Sequence, residues 1–144
     1  MKKVDIYTDG SCLGNPGAGG WCSILRYKGN EKVLKGGKPK TTNNEMELTA
    51  VVEALKALKE PCEVNLYSDS SYVLKGISEW LENWAKNNWK NASNKEIANK
   101  ELWQQLYELL KTHKVKTHWI KGHSGHPENQ RCDMIARQEA KKQR

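Results

Sequence analysis

Four carboxylates, Asp9, Glu47, Asp69 and Asp133, stand where the pattern of the chain around them does not call for an acid. Asp9 and Asp69 close two apolar, strand-like runs, "VDIYTD" and "EVNLYSD". Glu47 lies in "TTNNEMELTAVVEAL" and falls in line with Val51, Ala54 and Leu58, the edge of a helix that should face a sheet. The polar face of the same helix is Glu45, Thr49, Glu53, Lys56 and Glu60, and Glu47 is not part of it. Asp133, in "ENQRCDMIARQEA", shares a face with Asn129, Ala136 and Ala140, residues small enough for close packing. An acid beside a buried stripe costs free energy unless something cationic pairs with it. Four such acids brought together would repel one another and take up protons. Two divalent cations would cancel their formal charge, and hard oxygen donors select Mg2+ or Mn2+ over zinc. The chemistry that this predicts is paired-metal hydrolysis of a phosphodiester.

Each acid also has a plainer reading. Asp9-Gly10 is a common turn dipeptide. An acid near a helix start complements the helix dipole by roughly 0.3–1 kcal/mol, which suits Glu45 better than Glu47. Asp69 would make a good N-cap for the residues that follow it, "SSYV". Asp133 could be a solvated helix acid. What favours a site is the joint pattern, two acids at strand ends and two on helix faces turned towards the sheet. Crevices at the carboxyl ends of strands are where α/β proteins place ligands.

The elements that must position these residues are read from periodicity. Strands are expected at 3–9, 20–27, 31–41, 63–68 and 114–120, the first three antiparallel around the "YKGNEK" turn. A helix is expected at about 43–59, with the stripe Leu48, Val51, Val52, Leu55 and Leu58. Short helices follow at about 70–76 and 79–87, and longer ones at about 97–112 and from Pro127, a residue suited to the first helical turn. This order implies an α/β fold with one mixed sheet and helices on both faces, in one domain spanning 1–144. Residues 75–100 form a helical protrusion in which Trp80 and Trp84, at i, i+4, can brace one helix against the next.

The net charge of +7 is uneven: residues 111–144 hold nine Lys/Arg against three Asp/Glu. A basic segment suggests a polyanionic partner, nucleic acid being the commonest, although solubility alone can also explain it. Cys12, Cys22, Cys62 and Cys132 form no C-x-x-C pair and read as reduced thiols of a cytosolic protein. The apolar runs are too short for a signal peptide or a membrane span, so a cytoplasmic location away from membranes is expected.

Four blocks, "YTDGSCLGNPGAGG", "TTNNEMELTAV", "YSDSSYV" and "WIKGHSGHPENQRCD", resemble in order the conserved blocks of the bacterial type 1 ribonuclease H family, and the likeness covers nearly the whole chain. That resemblance implies the ribonuclease H fold, a five-stranded mixed sheet with strand 2 antiparallel. It implies a monomeric endonuclease acting on the RNA strand of RNA–DNA hybrids. Carried over by motif, Asp9, Glu47, Asp69 and Asp133 would hold two Mg2+ ions, or Mn2+ in their place, about 4 Å apart across the scissile phosphate. Products would carry 5′-phosphate and 3′-hydroxyl ends. His123, in "KGHSGH", would shuttle a proton or aid product release; a surface imidazole and a His123–His126 metal pair are the other readings. Asn43, Asn44 and Ser71 would sense 2′-hydroxyls in the wide minor groove of the hybrid. Asn15 and Thr42 would belong to a pocket for a DNA-strand phosphate, and Trp80 would pack on a deoxyribose. Ser71 stands where some relatives carry a longer amide, and residues 75–100 carry a net charge of only +2, five Lys against three Glu. Hybrid affinity is therefore expected to lean more on the carboxy-terminal lysines. Two rival readings are a catalytically silent hybrid-binding module and a DNA-cutting relative of the same fold; the presence of all four acids and His123 argues against the first.

Overall fold

The computed structural model describes residues 1–121 and 126–144. Five strands, β1 (Lys2–Leu13), β2 (Gly17–Tyr27), β3 (Asn30–Thr41), β4 (Cys62–Ser68) and β5 (Lys114–Trp119), form one sheet in the order β3-β2-β1-β4-β5. β2 is antiparallel to both β1 and β3, whereas β1, β4 and β5 are parallel. The expected mixed sheet with an antiparallel second strand is what the chain forms.

β1 is longer than its apolar run. It pairs with β4 only from Lys2 to Tyr7 but with β2 from Asp5 to Leu13. Asp9 therefore does not end the strand, as the alternation suggested, and Asp9-Gly10 is not a turn. The residue sits in mid-strand, opposite Cys22, where the β4 side of β1 has just become open. The reversal comes later, around Gly14, whose φ of 89° needs a residue without a side chain.

One face of the sheet is covered by α1 (Asn43–Lys56) and, beyond it, α2 (Ser71–Lys75), α3 (Leu81–Lys86) and α4 (Lys100–Thr112). Val4, Ile6, Val64 and Leu66 meet Leu48, Val51, Leu55, Trp103 and Leu106 in the main core. α1 stops at Lys56, three residues short of the expected end, and Leu58 packs on the core from the loop beyond. The two short helices are one bent stretch: α2 passes through a π-helical turn, Gly76–Trp80, into α3. A side chain at Gly76 would come within 2.0 Å of the Trp103 ring, so the glycine is what lets α4 close over this bend. α4 starts at Lys100 rather than near 97 because Asn99 takes the left-handed conformation, φ 59°, and breaks the helical path.

α5 (Pro127–Lys142) covers the other face. Its contact is made of small groups, with Ala136 and Ala140 fully buried. A Cβ at Gly20 of β2 would lie 2.3 Å from the Ala136 carbonyl oxygen, so backbone meets backbone here. No helix among the described residues is long and apolar enough to cross a membrane.

Candidate active site

The site begins with the open flank of β1. Asp9 leaves the sheet there with its Oδ1 accepting the Gly10 amide at 2.9 Å. Gly10 has a second task. A Cβ on it would fall 2.5 Å from the Glu47 nitrogen, so only glycine lets the first turns of α1 press against β1. Thr42 caps that helix, its Oγ1 accepting from the Glu45 amide at 3.1 Å. One turn further on, Glu47 is delivered against Asp9, buried like its neighbours Met46 and Leu48.

Asp69 follows the last residue of β4. The N-cap of α2 is not Asp69 but Ser70, whose Oγ accepts from the Val73 amide at 3.2 Å, while the Ser70 amide donates to Ser68 Oγ at 3.0 Å. The capping is done by serine, and Asp69 lines the cavity. Asp9, Glu47 and Asp69 each bring an oxygen to within 4.8 Å of the others. Asp9 and Glu47 are only 7% and 6% exposed, whereas Asp69 is exposed. They line a cavity of about 290 Å³ together with Asn129, Asp133 and Arg137.

Burial pushes the Asp9 carboxyl up to about 8, reinforced by the charges of Asp69 and Asp133 and by a hydrogen bond shared with Asp133; the Gly10 amide opposes the rise. Glu47 is raised well above the usual carboxylate range, first by burial and then by Asp9 and Asp69. Its buried Oε1 has no hydrogen-bond partner among the described residues. A protonated or orphaned carboxyl in such a place is costly, and a bound cation removes both penalties at once. The donors fit a hard divalent ion: they are all oxygens. Cys12 also lines the cavity, but its thiol is directed at the Gly17 and Thr41 carbonyl oxygens, 3.5 and 3.3 Å away.

Asp133 is near but differently held. It shares a hydrogen bond with Asp9 and lies outside the tight group of three, and Arg137 pairs with it from the next turn of α5, Nε to Oδ2 at 3.1 Å. It is ion-paired rather than simply solvated, and it lines the same cavity as the other three acids. Arg137 was not singled out from the sequence; its i, i+4 spacing from Asp133 was the available signal. Asn129, one turn before Asp133, carries a buried Oδ1 with no partner among the described residues.

The remaining expected residues fall around the rim. Asn15 Oδ1 accepts the Asn43 amide at 3.0 Å, so Asn15, Thr42 and Asn43 meet at the start of α1. Asn43 lines the cavity, Asn44 is exposed beside it, and Ser71 is exposed at the start of α2. Trp80 is half-buried, its ring 5.6 Å from Trp84 and 6.2 Å from Tyr72. Trp84 stands edge-on to Trp103 of α4 at 5.3 Å, the bracing of one helix against the next that the Trp80–Trp84 spacing predicted, and Trp89 stands edge-on to Tyr107 at 5.7 Å. His123 lies outside the described residues.

A mixed sheet of this order, with one acidic oxygen-lined cavity where β1 outruns β4, defines an α/β protein of the ribonuclease H type. The family model for RNase H matches residues 1–141. Ribonuclease H of Brucella ovis is 62% identical over 137 residues, covering 95% of this chain and 89% of that protein, and ribonuclease HI of Brucella melitensis matches equally. Among solved structures, LC9-RNase H1, a type 1 RNase H with the type 2 active-site motif, superposes with a TM-score of 0.87 at 32% identity, covering 100% of this chain and 74% of that one. The foamy viral protease-reverse transcriptase, solved in complex with RNA/DNA hybrid, shares the fold, with a TM-score of 0.77 at 20% identity over 96% of this chain and 20% of that one. The chain belongs to the ribonuclease H family, in its bacterial type 1 branch.

Proposed function

We propose that this chain hydrolyses the RNA strand of RNA–DNA hybrids as an endonuclease, with two divalent cations held by Asp9, Glu47, Asp69 and Asp133. Mg2+ is the expected ion and Mn2+ its substitute. The observation that carries this reading is the convergence of Asp9, Glu47 and Asp69 oxygens within 4.8 Å, two of the acids being buried with no ion-pair partner among the described residues. Bound cations would supply charge neutralisation at the phosphoryl oxygens and an acidified water at neutral pH.

The roles of the chain's own residues follow from their placement. Glu47 and Asp9, fixed by the close approach at Gly10, give the rigid half of the cation cradle. Asp69 and Asp133 give the accessible half, Asp133 held in orientation by Arg137. Asn43, Asn44 and Ser71, on the rim, are suited to hydrogen bonds with the RNA strand's 2′-hydroxyls. Asn15 and Thr42, clustered at the α1 start, suit a DNA-strand phosphate, because a helix N-terminus favours an anion. Trp80, half-buried among aromatic neighbours, offers an apolar surface to a deoxyribose. His123 is assigned proton transfer or product release from its motif. The protein would act as a monomer in the cytoplasm, leaving 5′-phosphate and 3′-hydroxyl ends.

The test is incubation with end-labelled hybrid and Mg2+, with Asp9→Asn as control and the product ends identified by their response to phosphatase and ligase. RNA-strand cleavage by the parent and none by the variant is expected. Hybrid binding without cleavage by the parent would make the chain a silent binding module instead.

A further inference from the structure

The cavity-facing edge of α5 does not stop at the metal cradle. Gln130, Asp133 and Arg137 line the cavity, and the next positions on that edge of the helix are Lys141 and, just past its end, Arg144. Residues 137–144 hold four cations against one carboxylate. That carboxylate, Glu139, is buried and already taken by Lys142 at 2.7 Å and Lys35 at 3.7 Å. Lys141 and Arg144 are exposed and have no ion-pair partner among the described residues. Complementing the helix dipole accounts for cations in the last turn. It does not account for their alignment with Arg137 and Asp133, nor for Arg144 outside the helix.

We infer that Arg137, Lys141 and Arg144 form a cationic track which leads away from the metal cradle and carries backbone phosphates of the hybrid outside the reacting step. This rests on the hybrid-cleaving function proposed above. The dimensions suit it. At 1.5 Å per helical residue, Lys141 lies roughly 12 Å along the axis from Asp133, with Arg144 just beyond the helix end. At about 3.4 Å of axis per nucleotide, that reaches phosphates from about three nucleotides beyond the cut onwards. Residues 75–100, by contrast, carry a net charge of only +2.

The test uses the non-cleaving Asp9→Asn protein, so that binding is read without turnover. Fluorescence anisotropy is measured with Mg2+ on hybrids of six and eighteen base pairs over a salt series. Lys141→Gln/Arg144→Gln is compared with Lys32→Gln/Lys59→Gln, which removes the same charge at the opposite end of the sheet. The track predicts that the first pair weakens binding of the long hybrid about tenfold in low salt. It also predicts that the slope of log affinity against log salt becomes shallower by about 1 to 2, the loss of one or two phosphate contacts. The short hybrid and the control pair should change less than about twofold. Equal losses from both pairs would mean that only total charge matters, and equal losses on both lengths would place the two cations at the reacting step; either overturns the track, as does an unchanged slope. Failure of the Asp9→Asn protein to bind any hybrid would instead overturn the function on which it rests.

Discussion

The two faces of the sheet are built on opposite terms. On the α1 side, large apolar side chains interlock: Trp103, Leu106, Leu48, Leu55 and Leu66 are fully buried in one continuous cluster. On the α5 side the cluster is small, Tyr7, Cys22, Ile24, Cys132 and Ala136, and the helix is held by backbone proximity at Gly20. Ion pairs add to it, Arg26 to Glu128 at 2.6 Å and Arg131 to Glu31. The first face supplies stability. The second contributes less burial and instead fixes where Asp133 and the cations behind it stand relative to Asp9. Stability and catalysis should therefore respond to different substitutions.

The largest separation is expected at the cradle itself. Asp69→Asn should lower kcat on a hybrid by roughly a thousandfold or more, about 4 kcal/mol of transition-state stabilisation, while circular dichroism and thermal unfolding stay close to the parent. Activity retained within tenfold would remove Asp69 from the cradle. Leu106→Ala should do the reverse, costing about 2–5 kcal/mol of stability in urea unfolding with kcat of the folded enzyme unchanged. Gly20→Ala sharpens the contrast. Its added methyl, 2.3 Å from the Ala136 carbonyl oxygen, should cost about 1–3 kcal/mol and also lower kcat, because α5 must shift and takes Asp133 with it. A stability loss with full activity there would show that the position of α5 is not what sets the site.

The smallest effect is on pH dependence. Asp9 has a higher pKa folded, about 8, than in a model peptide, 3.8, so the folded state binds its proton more tightly. The stability of the metal-free protein should then fall as pH rises through this window, the penalty being absent below about pH 4 and complete above about pH 8. Scanning calorimetry in chelator should show a lower Tm at pH 8.5 than at pH 5.5. Asp9→Asn should recover on the order of 5 °C at the higher pH, as should adding Mg2+ to the parent. A metal-free Tm that rises across this range would contradict the burial of an ionisable Asp9 in that form.

Element order and the convergence of Asp9, Glu47 and Asp69 were legible because both leave a local signature, periodicity in one case and a misfit with periodicity in the other. What escaped the sequence was decided by partners distant in the chain. β1 continues past Asp9 through "GSCL" only because β2 pairs with it there; nothing local in those residues announces a strand. Asp69 and Ser70 are both good caps, and the choice between them rests on Ser68, which receives the Ser70 amide. The gap before α4 follows from the left-handed Asn99, whose side-chain Nδ2 and the Trp103 indole both donate to the Tyr72 hydroxyl at 3.0 Å. Arg137 was hidden for a simpler reason: an arginine one turn after an aspartate is ordinary on a helix surface, and only the cavity gives it a location of interest.

Ser70 has a consequence of its own. Two backbone amides, those of Ser70 and Val73, need acceptors where β4 turns into α2, and the hydroxyls of Ser68 and Ser70 supply them. Without the Ser70 hydroxyl, the orphaned first-turn amides would become rivals of the cation for the neighbouring carboxylate. A change that removes none of the proposed ligands would thus be enough to disarm the site, because the proposed cradle leans on a hydroxyl outside it.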